Sequence, residues 1–570
     1  MNTLPKLNAD ERRQLFWFFI LAFFVLAAGY GMREPWPSDE PRFVLVAKQM
    51  VESGNYLFPH RGIQLYPDKP PVFFWILAAC YQIIGSWRWS FLLPSLVSGM
   101  AVLYFTYDAA RRLWKPRSGL WAAAAVLFSV QFVYQFKRAQ IDPALVLFTT
   151  IALYGFIRHL LLAPHWRWFY AGCFFSGLGI ITKGVGFLPL LIFIPYIALR
   201  LRNANGLAIQ NNSSAIRWSG GLLFFLIAIA MWLGPLLWTV SHGNSAEQQA
   251  YLDNILFRQT AKRYANPWGH HEPFWYFGQI ILLFWMPFSL ALLWLWKPWY
   301  QAIRAMDAKV ILPLAWGVLV VIFFSLSSGK RDMYILPALP AFAIAAAPFM
   351  QALSERESFR RVLFLVLALI GAAALAFGMQ ALLGEPGFEK KFIAERGVAS
   401  LDPIWWMLII VGATSLIATL VFRQKKPLHA CVFFFVLLWS GYSFVAYPVL
   451  DDASSSKAIM LRARELAGPE KIIGLVDWKE QNLLQAKGMT TDFGFLQPSA
   501  MQLRLGVAWL RESPEKRLLF LQASSKMACL DFNASDTISL GTANRRGWFL
   551  VGVNSVEQCR FKTEELTHKP

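Results

Sequence analysis

Val72-Phe-Phe-Trp-Ile-Leu-Ala-Ala-Cys-Tyr-Gln-Ile-Ile-Gly85 is the stretch on which the reading of this 570-residue chain turns. It is strongly apolar, but at about 14 residues it falls short of the roughly 20 that a helix needs to cross ~30 Å of hydrocarbon. A helix lying at the membrane interface, or re-entering from one side, suits that length. Treating it as non-spanning fixes where the other loops fall. With the N-terminus cytoplasmic, the basic loops Arg111–Arg117, His165–Arg167, Arg200–Arg217, Lys297–Lys309, Arg356–Arg361 and Arg423–Lys426 then all face the cytoplasm, as the excess of Lys and Arg in inner loops requires.

The rest of the composition agrees with a membrane protein. A hydrophobic fraction of 56%, a mean hydropathy of +0.42 and 25 tryptophans cannot be hidden in a water-soluble core. Apolar runs long enough to span recur from Phe16 to about Tyr447 and then stop. They predict about 13 transmembrane helices, at 16–32, 88–110, 119–136, 143–162, 168–181, 185–199, 219–240, 275–296, 309–327, 335–352, 362–383, 404–422 and 430–447. The first run follows Lys6, Arg12 and Arg13 in the manner of a signal peptide, yet no small-residue cleavage site follows it. It reads as a retained helix. An odd number of crossings puts the C-terminus outside.

Residues 1–448 thus read as a polytopic α-helical membrane domain, with external loops at 33–87, 241–274, 328–334 and 384–403. Residues 449–570 have the composition of a soluble domain. Ser454–Leu466 has amphipathic helical periodicity, and Lys471–Val476, Arg517–Leu521 and Gly547–Val553 read as buried strands, so a small periplasmic α/β domain is expected. The net charge of +20 lies mostly in short loops between spans, which assigns it to topology and anionic lipid and not to nucleic acid. Cys80, Cys173 and Cys431 lie in or beside apolar segments as small hydrophobes. Cys529 and Cys559 fall in the external domain, where a disulfide is permitted.

Unusual polar residues gather on the external side. Trp36-Pro-Ser-Asp-Glu-Pro-Arg42 follows the first span and Tyr66-Pro-Asp-Lys-Pro-Pro71 precedes the interfacial helix. Lys137-Arg-Ala-Gln-Ile-Asp-Pro143, Asn266-Pro-Trp-Gly-His-His-Glu272 and Ser328-Gly-Lys-Arg-Asp-Met-Tyr334 occupy later loops. Asp39 stands where a helix cap is wanted, and Asp142-Pro143 also fits a helix start. Charge at a membrane boundary is costly, which favours a functional role beside that structural one. Lys330 and Arg331 lie on the side that the positive-inside rule leaves poor in cations, so a bound anion explains them better than topology. Carboxylates, cations and lipid access together suit transfer of a group from a lipid phosphate: cations stabilise the departing phosphate and a carboxylate orients or deprotonates the acceptor. There is no P-loop or dinucleotide fingerprint; Gly177, Gly179, Gly184 and Gly186 flank Thr182-Lys183 at a tight membrane hairpin, not a strand-to-helix turn.

Asp39-Glu-Pro-Arg42, Asp68-Lys-Pro-Pro71, Asp142-Pro143, Thr182-Lys-Gly184 and Lys330-Arg-Asp-Met-Tyr-Ile-Leu-Pro337, in this order, resemble the C-type membrane glycosyltransferases of the protein O-mannosyltransferase and lipid A aminoarabinose transferase superfamily. The likeness runs over about residues 10–450. It implies the C-type glycosyltransferase fold in a bacterial inner membrane and a polyprenyl-phosphate sugar donor, with lipid A, another envelope glycolipid or a protein as acceptor. By that resemblance Asp39 and Asp142 are the catalytic carboxylates. Arg42, Lys69, Lys330, Arg331 and Tyr334 would surround the donor phosphate. Asp68 and His271 match the positions that present a carboxylate and a histidine to a divalent metal such as zinc; the carboxylate here is Asp where the aminoarabinose transferases usually carry Glu. No nucleotide cofactor is implied. Rival readings are a protein O-mannosyltransferase, a polysaccharide ligase or polymerase, and a transporter of lipid-linked sugar, though a transporter usually places its charges near the bilayer midplane.

Overall fold

A computed structural model describes residues 7–208, 214–256, 271–384, 387–523, 529–559 and 561. The molecule is a bundle of apolar helices capped at one end by a five-stranded sheet. Among the described residues, seven helices are long and apolar enough to cross a membrane, and nine if each of two bent pairs counts as one span. The chain is a multi-pass membrane protein.

The first helix, α1 (Ala9–Ala27), opens with a capping box in which Asn8 and Glu11 satisfy each other's backbone N–H groups. A short loop leads into α2 (Glu40–Ser53), the hairpin strands β1 (His60–Arg61) and β2 (Gln64–Leu65), and α3 (Val72–Ile84). The last of these is the decisive apolar stretch of the sequence. It forms 13 residues of helix, too short to be counted as a span.

Two expected spans are not straight. The stretch read as 119–136 divides into Pro116–Leu127 and Val130–Phe136, bent by 68°, and that read as 275–296 divides into Tyr276–Phe284 and Phe288–Arg304, bent by 111°. The two breaks meet. Val130 N–H donates to the Met286 carbonyl at 3.2 Å, and the Ser129 hydroxyl reaches the Trp285 carbonyl at 3.4 Å. Each break therefore supplies backbone partners that the other lost, the condition for interrupting a helix away from water. The 185–199 segment also departs from a regular helix, starting as a 3-10 turn at Leu188–Ile192.

Close backbone approach shapes the corner between Trp166–Lys183 and that turn. Gly184 takes φ +73°, and a Cβ on Gly186 would sit 2.0 Å from the Gly179 carbonyl carbon. No side chain fits there, which gives the glycines of this hairpin their structural reason. The helices Glu357–Gly384 and Asp402–Phe422 pack by the same device, with Gly371, Gly412 and Ser415 at their contact.

Beyond the last long helix, Ser456 adopts a left-handed conformation that separates Tyr447–Ser455 from Lys457–Ala467, so the single amphipathic helix expected over 454–466 starts at 457. Strands β3 (Ile472–Leu475), β4 (Thr490–Asp492), β5 (Arg517–Gln522), β6 (Thr537–Ala543) and β7 (Arg546–Val551) form one sheet in the order β4-β3-β5-β7-β6. The β4-β3-β5 half is parallel and the β7-β6 half antiparallel. In β5, Leu519 and Leu521 face the helix Ser499–Glu512, while Leu518 and Phe520 face a second core. That second core is continuous with Phe43, Phe73 and Phe74 of α2 and α3, so the sheet and the α2–α3 region share one hydrophobic interior. Cys529 and Cys559 are joined in a disulfide at the outer core.

Because the atoms facing Gly186 are backbone, Gly186→Ala is expected to cost about 1–3 kcal/mol through overpacking. A lower melting temperature in detergent than wild type is the check.

Candidate active site

Arg33, just past α1, is 2% exposed and makes paired hydrogen bonds to Glu40, at 2.5 and 2.8 Å. Its guanidinium also donates to the carbonyls of Glu34 and Lys137, and lies over the rings of Trp36, Phe91 and Tyr447. Glu40 in turn accepts from the N–H groups of Trp36 and Ala139 at 2.8 and 2.9 Å. Burial alone would raise the Glu40 carboxyl, but the Arg33 charge and its hydrogen bonds outweigh burial and hold it below its ordinary range. One buried ion pair thus brings the 33–42 loop against the 137–142 segment.

That placement brings the predicted residues together. Asp39 is the N-cap of α2, yet its side chain makes no capping hydrogen bond. Its carboxylate lies instead 3.7 Å from Arg42 and 3.6 Å from Arg331. Both distances exceed a hydrogen bond, so two cations flank the carboxylate without clamping it. Asp142 lies in the first turn of Ile141–Ile157 and also makes no cap; it ion-pairs with Lys183. The Lys183 ammonium sits 4.8 Å from the centre of the Tyr334 ring. Arg331 and Tyr334 share one tight turn, and that turn links the two halves of the site.

The 330s segment is held from within the bundle. Gln131 accepts from the Trp285 indole N–H at 2.8 Å and donates to the Asp332 carbonyl at 2.6 Å, while Gln135 donates to the Asp332 carboxylate at 3.0 Å. Lys330 is buried, and its ammonium donates to the Glu272 carbonyl at 2.7 Å, fastening the bridge between His271 and Gly329. Asp68 and Lys69 occupy a bend between β2 and α3, both half-buried. Asn266–His270 lies outside the described residues. Among the described residues no group of three or more His, Cys, Asp or Glu side chains is arranged to hold a metal ion.

Four participants are not among the site residues expected from sequence. Lys183 and Glu40 stand in the motifs Thr182-Lys-Gly184 and Asp39-Glu-Pro-Arg42 with no role assigned to them, and Arg33 carries no sequence signal. Glu480, in a region where no catalytic constellation was expected, accepts from Arg42 Nε at 2.8 Å. The ion pair reported by Lys183 with Asp142 is invisible to spacing because the partners are 41 residues apart.

The model of the dolichyl-phosphate-mannose-protein mannosyltransferase family matches residues 68–233. The undecaprenyl phosphate-alpha-4-amino-4-deoxy-L-arabinose arabinosyl transferase of Pseudomonas savastanoi pv. phaseolicola is 27% identical over 72% of this chain and 72% of its own length. The enzyme of the same name from Pseudomonas paraeruginosa is 26% identical over 87% of this chain and 85% of its own. The crystal structure of ArnT from Cupriavidus metallidurans bound to undecaprenyl phosphate superposes with a TM-score of 0.74 at 17% identity, covering 94% of this chain and 98% of that one. In fold and in sequence the chain is similar to the C-type membrane glycosyltransferases. In this chain the flanked carboxylate and the Lys183–Asp142 pair are joined through the 330s turn, where α2 and the 137–142 segment approach it.

Removing one partner of a buried ion pair leaves the other charged and unpaired, so Glu40→Gln is expected to destabilise the protein by about 3–5 kcal/mol. The sign with pH follows from the depressed carboxyl. Its contribution is present above the unfolded value of 4.5 and is lost as pH falls below it, toward the folded value. Melting curves from pH 6 to pH 4 should show the gap between wild type and Glu40→Gln narrowing on acidification.

Proposed function

We propose that this protein is an inverting glycosyltransferase that moves a sugar, of the aminoarabinose pentose type, from undecaprenyl phosphate to lipid A or a related envelope glycolipid. The observation that carries the reading is Asp39 lying between Arg42 and Arg331, with the Arg331–Tyr334 turn reaching on to the Lys183–Asp142 pair. The names of the similar arabinosyl transferases support the donor and the sugar class.

In this mechanism an acceptor oxygen attacks the anomeric carbon from the face opposite the phosphate. The new carbon–oxygen bond forms as the sugar–phosphate bond breaks, and the electron pair leaves on polyprenyl phosphate. Arg42, Arg331 and Lys69 stabilise the negative charge that grows on the leaving group. Lys330, held by the Glu272 carbonyl, keeps the cationic turn in place. A lipid A phosphate is already anionic and needs no base, so Asp39 stabilises the cation-like sugar and positions it; toward a hydroxyl acceptor the same carboxylate serves as base. Asp142, paired with Lys183, orients the sugar, and Tyr334 closes that side.

The same reading has thirteen crossings, a cytoplasmic N-terminus, and residues 449–570 as a soluble domain in the periplasm. The basic loops support that orientation, as does the Cys529–Cys559 disulfide, which suits an oxidising compartment. Reporter fusions should give alkaline phosphatase activity at the C-terminus and at loop 384–403 and none at Arg111–Arg117; activity at that last loop would reverse the topology.

The functional test is transfer of labelled sugar from a synthetic undecaprenyl-phosphate donor by purified protein, with lipid A and a Ser/Thr peptide as acceptors. Wild type should label lipid A, and Asp39→Asn should lose at least about a hundredfold in rate while melting like wild type. Labelling of the peptide alone would assign the mannosyltransferase-like alternative. Full activity in Asp39→Asn would remove Asp39 from the mechanism.

A further inference from the structure

Glu480 opens the helix Glu480–Gln485, which packs directly on α2. Its carboxylate is 7% exposed and one oxygen, Oε1, serves two cations: Arg42 Nε at 2.8 Å and Arg61 Nη1 at 3.4 Å. Arg61 is itself held in place, with its guanidinium 3.8 Å from the ring centre of Phe495 and 5.1 Å from that of Tyr66. Behind this group the hairpin turn is pressed on the sheet. A Cβ on Gly62 would lie 2.7 Å from the Asp492 carboxylate, and Gln64 accepts from the Leu496 N–H at 2.8 Å. The carboxylate therefore stands on a rigid support drawn from both the sheet and the first external loop.

The geometry at Arg42 is directional. A guanidinium is a planar fork, and its Nε edge and its terminal edge point different ways. Glu480 takes the Nε edge. The terminal Nη1 is the atom that faces Asp39, at 3.7 Å. Occupying one edge restricts rotation of the fork and leaves its outer edge turned to the site, where a phosphate oxygen would be received.

We propose that Glu480 is a positioning residue for the donor phosphate: by binding the rear edge of Arg42 it aims the guanidinium at the lipid phosphate, so that the C-terminal sheet region completes the phosphate site. This rests on the transferase reading above. Arg61, clamped by Phe495 and Tyr66, balances the charge of Glu480 without reaching Asp39 itself.

The experiment is a double-mutant cycle on the full-length protein in detergent, using undecaprenyl phosphate as the binding probe and the labelled donor for kinetics. Glu480→Ala is expected to weaken undecaprenyl phosphate about tenfold, the value of one hydrogen bond to a charged group. Donor KM should rise in parallel, while kcat at saturating donor stays within about twofold. In an Arg42→Ala background the same change should have little further effect. Glu480→Gln should recover part of the loss, because its amide carbonyl still accepts from Nε. Asp492→Ala, which loosens the same docking surface away from Arg42, should lower the melting temperature and leave lipid affinity unaltered.

Additive losses in the cycle, a fall in kcat at unchanged affinity, or an equal affinity loss in Asp492→Ala would each overturn the proposal. Its failure is separable from failure of the transferase reading. Wild type that transfers sugar while Glu480→Ala is silent removes only the positioning role. Wild type that shows the binding cycle but transfers nothing keeps Glu480 on the phosphate and removes the transferase.

Discussion

The buried pair of Arg33 and Glu40 is the interaction on which the site depends. Both side chains are out of contact with solvent, and beyond their own pair both hydrogen-bond to backbone groups of neighbouring segments. Two charges in an apolar setting are costly unless their mutual attraction and further hydrogen bonds offset the loss of water. Here most of the partners are the peptide groups of Glu34, Trp36, Lys137 and Ala139, so meeting the electrostatic demand also fixes the loop geometry. Asp39 is next to Glu40 in the chain, and Asp142 is three residues from Ala139. When Glu40 turns inward, Asp39 remains facing the site.

How much of this was legible in the sequence follows from how far each signal reaches. The interfacial helix Val72–Ile84 was readable because length against bilayer thickness is a local test. Asp39, Arg42, Asp142 and Arg331 could be proposed as neighbours because each sits in a polar loop on one predicted side of the membrane. Arg33 and Glu40 carry the same loop charges, and nothing local marks which will turn inward. Lys183 was hidden by its surroundings, since Thr182-Lys183-Gly184 reads equally well as a corner. The two bends differ in the same way. Pro287 offers a break signal in one of them, whereas Phe128-Ser129 offers no Gly or Pro, and that helix stops where Val130 can bond to Met286. Glu480 lies more than 430 residues from Arg42, and a single carboxylate on a short helix announces nothing by itself.

The bent helices explain how a loop can hold cations at a membrane boundary. An interrupted helix exposes peptide groups that the bilayer cannot satisfy, and two interruptions placed together satisfy each other. The space they create admits Gln131 and Gln135, whose amides then fix Asp332 through its carbonyl and its carboxylate. Arg331, one residue earlier, is thereby carried by rigid elements and not by loose chain. A flanking cation that must act at a fixed distance from Asp39 needs such support, because misplacement of a catalytic group costs far more than its own contact energy.

The arrangement of charge sorts into tight and loose pairs, and the difference has a chemical meaning. Arg42 with Glu480, Lys183 with Asp142, and Arg33 with Glu40 are at hydrogen-bond distance, with their carboxylates only 7%, 8% and 1% exposed. Asp39 stands 3.6 and 3.7 Å from its two arginines at a partly open surface, where screening reduces the attraction. An incoming phosphate competes with carboxylates for guanidinium groups, and it wins most readily where the existing contact is weakest. The tight pairs stay as the frame, and the loose contacts around Asp39 are those a phosphate can take over. In the proposed mechanism the arginines turn to the phosphate, and the Asp39 carboxylate, without their neutralising charge, faces the positive charge that develops on the sugar. On that proposal, substrate binding and activation of the carboxylate are two results of one exchange of partners.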